Sequence, residues 1–334
     1  MKSSYLARRA ALALGLAFGA SLAAAPAVAP LAWAQSFPNR PVTLVIPFAA
    51  GGSTDVVGRI VAQKMSENLG QSVVVENVAG AGGSVGATRV ARADADGYTI
   101  LMATVATHAL NPLMLRQKPY DPQTDFEPIS LLVVVPNVLL VNPGFPPTTV
   151  NELLELVRSE EPGHYDFASS GNGTPLHLSG ALFNSLADVD IQHIPYQGSG
   201  PALNDVIGGQ VPIIFDNLPS ASAHIKAGTL RALGVTTKTR APSFPEIPTI
   251  DESLPGYETY TWNALFAPKG TPPEAIERIH AAAVTAMEDP DVIARMAEFS
   301  AEIVAGTPEE LRAHVAAETE KWTPVVEEAG VRLD

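Results

Sequence analysis

The chain has 334 residues, 46% apolar and 17% charged, with 26 Gly, 29 Pro and no Cys. That composition supplies a packed core and excludes a disordered tail, a collagen-like repeat, a disulfide scaffold, a lipoprotein anchor and thiol chemistry. Three of its 21 Lys and Arg (Lys2, Arg8, Arg9) precede residue 35, so residues 35–334 set 18 of them against 35 Asp and Glu, a net charge of −17 that repels nucleic acid and anionic membranes.

The amino terminus reads as a secretory segment. Its basic start precedes an Ala/Leu-rich run from Ala10 to Ala25, Pro26 and Pro30 break the stretch after that run, and Ala32-Trp33-Ala34 puts small residues before a cut at Gln35. The run is short for a bilayer, and no later segment has the roughly 20 apolar residues that a span needs. Residues 1–34 are therefore expected to be a signal peptide cleaved near Ala34, by a general or a twin-arginine route. The product is expected to be soluble and periplasmic or extracellular.

From Pro41 onward, apolar runs of strand length alternate with segments of helical period, the pattern of an α/β protein with mostly parallel strands. Val42 to Ile46 is the first predicted strand. The loop from Pro47 to Thr54 leads to a helix with Val56, Val57, Ile60, Val61, Met65 and Leu69 on one stripe, ended by Gly70. A strand at Val73 to Val75, a helix near Val85 to Ala93 and a strand at Tyr98 to Met102 complete a βαβαβ unit. A connection containing Pro112, Pro119, Pro122 and Pro128 comes next, then strands Leu131 to Val135 and Val138 to Val141, interrupted by Pro136-Asn137.

A second α/β set begins there. Thr149 suits the N-cap of a helix through Val157. Strands are predicted at Tyr165 to Ala168, Ile191 to Ile194, Val211 to Phe215 and Leu230 to Thr236, with helices at Leu176 to Leu186, Ala202 to Ile207 and Ala221 to Ala227. After a strand at Trp262 to Ala267 the chain is almost wholly helical, with stripes Ile276, Ile279, Val284, Met287 and Leu311, Val315, Trp322, Val326, and Pro324 is expected to bend or end the last helix near Thr323. Such helices bury their apolar faces only against an existing sheet, and the first unit has room for them. The expected architecture is therefore two lobes, each a mostly parallel sheet flanked by helices, joined by two hinge crossings. Lobe 1 is residues 35–140 and 255–334, and lobe 2 is 141–254. Trp262, beside the second crossing, is expected to sense lobe closure, with Trp322 silent.

Two loops stand at strand-to-helix junctions, where glycine lets a ligand approach the backbone and free N–H groups and the helix dipole favour an anion. One is Phe48-Ala49-Ala50-Gly51-Gly52-Ser53-Thr54-Asp55, the other Ser169-Ser170-Gly171-Asn172-Gly173-Thr174-Pro175. No Lys or Arg lies between Arg158 and Lys226, so lobe 2 would hold a carboxylate with N–H groups and hydroxyls in place of an ion pair. Gly82-Gly83-Ser84-Val85-Gly86 matches G-x-S-x-G, and a secreted α/β serine hydrolase using Ser84 is the competing class; Ser84 also suits a helix N-cap. Neither G-x-G-x-x-G nor a phosphate-binding G-x-x-x-x-G-K occurs, and the seven histidines lack metal-binding spacing, so neither cofactor nor metal is expected.

With those loops the chain resembles the Bug family, the periplasmic solute receptors of tripartite tricarboxylate transporters, from about Phe37 to Asp334. The likeness rests on Pro47-Phe48 with Gly51-Gly52 and Asp55, Gly80-Ala81-Gly82-Gly83, Asp96-Gly97-Tyr98-Thr99, Pro136-Asn137-Val138-Leu139, Ser169 to Thr174, Pro195-Tyr196 with Gly198, Gly208-Gly209-Gln210-Val211 and Phe215-Asp216-Asn217-Leu218-Pro219. It implies a monomeric, non-enzymatic Venus-flytrap receptor that closes on a small mono-, di- or tricarboxylate, or an aromatic acid, and passes it to separate membrane subunits of the transporter. By that resemblance Phe48, Ala50, Gly51, Gly52, Ser53, Thr54 and Asp55 hold one end of the ligand and Ser169, Ser170, Gly171, Asn172, Gly173 and Thr174 the other. Thr107, His108, Tyr196, Gln197, Gly198 and Asp216 line the cleft. Ala103-Thr104-Val105-Ala106-Thr107 departs from the family's more Gly/Ser-rich stretch, which leaves contacts by Thr104 and Val105 open.

Overall fold

The computed structural model describes residues 37–329, and the expected export segment lies outside the described residues. β1 (Val42–Ile46) is apolar apart from Thr43 and almost wholly buried, as befits a parallel strand covered on both faces. α1 (Ser53–Leu69) sets Val57, Val61, Met65 and Leu69 on one buried stripe, and Gly70 ends it at φ 68° with its N–H on the Ser66 carbonyl. β2 (Val73–Asn77), α2 (Ser84–Ala91) and β3 (Thr99–Thr104) come next, with β1 paired in parallel to both β2 and β3. A π-helical turn at Ala106–Leu110 and the short α3 (Asn111–Met114) occupy the stretch expected to be a plain connection.

β4 (Phe126–Val141) is one 16-residue strand, where two are expected. Beyond it come α4 (Val150–Ser159), β5 (Asp166–Ser169), α5 (Pro175–Ala187), β6 (Gln192–Pro195), α6 (Ser199–Ile207), β7 (Ile213–Asn217), α7 (Leu218–Ala227) and β8 (Arg231–Val235). Thr149 caps α4, its side chain accepting from the Glu152 N–H. β9 (Tyr260–Pro268), α8 (Pro273–Met287), α9 (Pro290–Ala297), the two-residue β10 (Glu302–Ile303) and α10 (Pro308–Ala329) complete the chain.

The continuity of β4 has a physical reason. Up to Pro136, paired with Tyr260, it lies antiparallel to β9; from Asn137, paired with Asn217, it lies antiparallel to β7. A residue without an N–H thus falls where one ladder hands over to the next, where the missing donor disturbs pairing least. The strand order β2-β1-β3-β9-β4-β7-β5-β6 makes β4 the member common to two lobes, with β10 along its first half and β8 along its second.

Period-two alternation sends the strands' side chains to opposite faces. Leu44, Ile46 and Met102 meet α1, α8 and α9 through Val57, Met65, Ile279 and Met296, while Val45 and Leu101 meet Val90, Leu311 and Val315 on the other face. In the second lobe Leu139, Phe167 and Phe215 pack with Leu153 and Phe183, and Leu140, Ala168 and Ile214 with Leu203 and Ala221. The carboxy-terminal helices therefore cover the first sheet, as the lack of further strands requires. α10 continues past Pro324 to Ala329; Trp322 and Val326, on either side of that proline, both seat in the core, and their burial outweighs the one hydrogen bond a proline removes. The indoles of Trp262 and Trp322 donate to the same Glu318 carboxylate oxygen at 3.1 and 3.2 Å. The two indoles, expected to respond differently to closure, share one acceptor.

Candidate functional site

The loop after β1 is held by Asp55. Its carboxylate accepts the Gly51 N–H at 3.0 Å, the Arg59 Nε at 3.0 Å and the Asn77 side-chain amide at 3.0 Å, and the same amide donates to the Phe48 carbonyl. Burial alone would push the Asp55 carboxyl up, but the bonds from Arg59, Gly51 and Asn77 prevail and hold it below the usual carboxylate range. Asp55 thus shapes the loop from behind. In front, α1 opens at Ser53 with Gly52 as an N-cap that offers no side-chain acceptor, so its first N–H groups and the unpartnered Ser53 hydroxyl face a cavity.

Across from it stands the loop after β5. Thr174 caps α5: its hydroxyl donates to the Gly171 carbonyl at 2.8 Å and accepts the His177 N–H at 3.3 Å. The Ser169 hydroxyl meets His193 Nε2 at 2.6 Å and accepts the Gly171 N–H at 3.1 Å. His177 and His193 stack with centroids 4.0 Å apart, and burial pushes them down to about 4 and about 3, so both are neutral and brace the loop without charge.

The loop after β1 meets the loop after β6, and the loop after β2 meets the loop after β5, through backbone. The Ala49 N–H donates to the Gln197 carbonyl at 3.0 Å. A Cβ on Gly200 would lie 2.1 Å from the Ala50 carbonyl oxygen, and one on Gly82 would lie 2.3 Å from that of Asn172. The cavity between them has a free volume of about 20 Å³, room for about one water molecule.

Four helix N-termini converge there: Ser53 of α1, Pro175 of α5 with its cap Thr174, Ser199 of α6, and Asn217, the cap of α7. The polar part of the lining is hydroxyl, amide and main chain, beside the apolar Phe48, Pro175 and Leu176, with no charged side chain among the described residues. Positive helix ends without a formal cation suit a small anion bound by hydrogen bonds.

Among the residues singled out from sequence, Phe48, Gly52, Ser53, Thr54, Ser170 and Thr174 line the cavity. Ala50, Gly51, Asn172, Gln197 and Gly198 lie at the contacts between the loops. Asp55, Ser169, Gly171, Gly173 and Tyr196 support those loops; the Tyr196 hydroxyl reaches Asp205 at 2.7 Å. Asp216 lies beneath the cavity, fully buried, accepting from the Ser199 hydroxyl and, at 2.7 Å, from that of Ser220.

Thr107 and His108 are not brought to the cavity. The Thr107 hydroxyl bonds the backbone of Thr104, and His108 is fully buried between Phe126 and Phe266, its ring 4.8 and 4.0 Å from theirs. Burial pushes its pKa down to about 3. The π-helical turn causes this difference from expectation, because it rolls both side chains inward and leaves Thr104, whose part was open, on the cavity wall; Val105 is fully buried. The Ser84 hydroxyl sits at the buried start of α2, accepts the Asn111 amide at 3.0 Å and lies beside the Tyr120 hydroxyl.

Sequence reasoning did not name Pro175, Leu176, Ser199, Asn217 or Thr261 among the ligand contacts, although Pro175, Ser199 and Asn217 stand in or beside the strand-end loops it singled out. A signal existed for two: Ser199-Gly200-Pro201 and Asn217-Leu218-Pro219 resemble Thr174-Pro175, a small polar residue at the helix start with proline in the first turn. Thr261 is one alternating position on a strand, and only the fold places it.

Residues 57–331 match the family described as "Tripartite tricarboxylate transporter family receptor". The chain is 37% identical over 317 residues to the protein BugT of Bordetella pertussis, covering 94% of this chain and 97% of that one. A solved R. palustris protein with adipate shares 39% identity at a TM-score of 0.85, covering 89% of this chain and 99% of that one. MatC from Rhodopseudomonas palustris with bound malate shares 36% at 0.82, covering 87% and 100%. These likenesses extend over most of the chain, and this chain belongs to the tripartite tricarboxylate transporter receptor family.

Proposed function

We propose that this receptor is exported to the periplasm, with residues 1–34 removed near Ala34, and there captures a small dicarboxylate between its lobes for membrane subunits of a tripartite tricarboxylate-type transporter. The observation that carries this reading is the convergence of four helix N-termini on a cavity without charged side chains. Related receptors solved with adipate and with malate support the ligand class. We place the hinge at Pro136-Asn137, where β4 passes from β9 to β7, and at the start of β9 near Tyr260, where the chain returns to the first sheet. An organic diacid needs far more room than about 20 Å³, so it enters with the lobes apart, before they close. The ligand does its work by favouring the closed state.

The role is binding, as a monomer, without covalent chemistry. The Ser84 hydroxyl is engaged by an amide and a phenol, whereas a hydrolase nucleophile needs a histidine base at hydrogen-bond distance. A thermal-shift screen of residues 35–334 against mono-, di- and tricarboxylates and aromatic acids tests the reading, because a ligand of the folded state raises the melting temperature. A C4 to C6 dicarboxylate is expected to give the largest shift. No shift with any carboxylate, or labelling of Ser84 by a fluorophosphonate, would contradict it.

A further inference from the structure

Asp216 is a fully buried carboxylate with no cationic partner among the described residues. It is fully buried at the end of β7, and the groups on it are the hydroxyls of Ser199 and Ser220 and the Asn217 N–H. An ionised carboxylate only accepts hydrogen bonds, and a serine hydroxyl has a single hydrogen. The Ser199 hydrogen is therefore spent on Asp216, and what Ser199 Oγ has left for the cavity it lines is lone pairs. The consequence runs against the rest of the site, where helix N-termini supply donors.

We propose that Asp216 is a positioning residue that fixes Ser199 as a hydrogen-bond acceptor, so that the cavity selects a carboxylate carrying a donor, hydroxyl or ammonium, over the same carboxylate without one. This rests on the cavity being the ligand site. The carboxylate oxygens of such a ligand take the N–H groups at the helix starts, and its donor meets the Ser199 lone pairs. An unsubstituted diacid leaves that acceptor without a ligand partner, and a carboxylate oxygen placed against it is repelled. Burial raises the Asp216 pKa to about 6 against the opposing pull of its three donors, so the carboxylate is ionised, and Ser199 so oriented, from about neutral pH upward.

The test compares affinities by calorimetry at pH 8 for matched probes, malate against succinate and 2-hydroxyadipate against adipate, with aspartate to separate ammonium from hydroxyl. The wild-type protein is expected to favour the donor-bearing member by about tenfold, the effect of roughly one hydrogen bond. Ser199→Ala should bring that ratio close to one. Asp216→Asn, whose amide can donate to Ser199 and turn its hydrogen toward the cavity, should lower the ratio or invert it. A wild-type ratio near one, or a ratio unchanged in Ser199→Ala, would overturn the proposal.

A measurement that needs no ligand stands beside it. Carbon NMR of the Asp216 carboxyl should show its titration midpoint rise in Ser199→Ala, because a donor to the charged form is lost, and an unmoved midpoint overturns the proposal whatever binds. If no carboxylate binds the wild-type protein while the midpoint moves, the ligand reading fails and the Ser199 orientation stands.

Discussion

The main-chain N–H of Ala49 donates to the carbonyl oxygen of Gln197 at 3.0 Å, joining the loop after β1 to the loop after β6. Neither group belongs to a side chain, so this closure contact is indifferent to the identity of both residues and depends on how near the backbones come. Nearness is set by the glycines around them: Gly200 leaves no space for a Cβ beside the Ala50 carbonyl, and a Cβ on Gly198 would lie 2.8 Å from the Ala49 nitrogen. Closure is a backbone-to-backbone event, and the variants that probe it best are small.

Asp55→Asn should loosen the first anion loop. The substitution removes the charge that Arg59 answers and weakens the bond from the Gly51 N–H, a loss of about 1.5 to 3 kcal/mol for a charge-assisted contact. Because the folded-state pKa of Asp55 is depressed, its stabilisation is present above the unfolded-state value of about 3.9 and is lost as pH falls through the folded value. Denaturant melts should show the wild type losing its advantage over Asp55→Asn under acid conditions, and a pH-independent difference would contradict the assignment.

Thr174→Val should act on stability. The hydroxyl at this cavity-lining position is occupied as the cap of α5, so its loss should cost about 1 kcal/mol. Thermal unfolding is the measurement; an unshifted melting temperature with a large loss of affinity would return the hydroxyl to direct ligand contact.

His108→Leu should leave carboxylate affinity unchanged, since the ring is packed between Phe126 and Phe266 away from the cavity. Stability should change with pH. The folded pKa of about 3 lies below the unfolded value of about 6.5, so the unfolded chain binds a proton that the fold refuses. Stability is fully present above about 6.5 and falls with pH toward the folded value, by about 2 kcal/mol at pH 5 for this residue. The leucine variant should lose that much less between pH 7 and pH 5 in denaturant melts, and equal losses would show that His108 protonates in place.

The strand and helix order was legible because apolar period marks elements: β1 and the α1 stripe through Leu69 are where the pattern puts them. β4 was not, since proline is ordinarily a break and only the handover from Tyr260 to Asn217 explains its tolerance. At the cavity, glycine loops that run into a helix announced themselves by composition. His108 misled, because a histidine after a strand looks available, and a π-helical turn that buries it leaves no signature in residue type. Ser199 and Asn217 carried a weak local signal, and Thr261 carried none.

If a carboxylate is held by closure of the Ala49–Gly52 loop on the Gln197–Gly200 loop, Gly200→Ala should separate binding from folding. The new methyl would sit 2.1 Å from the Ala50 carbonyl oxygen, while alanine near the start of α6 favours the helix over glycine. Calorimetry with the best carboxylate from the thermal-shift screen, alongside a thermal melt, is the measurement. The expected result is a fold at least as stable as the wild type with affinity reduced by tenfold or more, a change of about 1.4 kcal/mol. Wild-type affinity in a folded Gly200→Ala protein would show that the ligand is held without this closure and would contradict the binding mechanism.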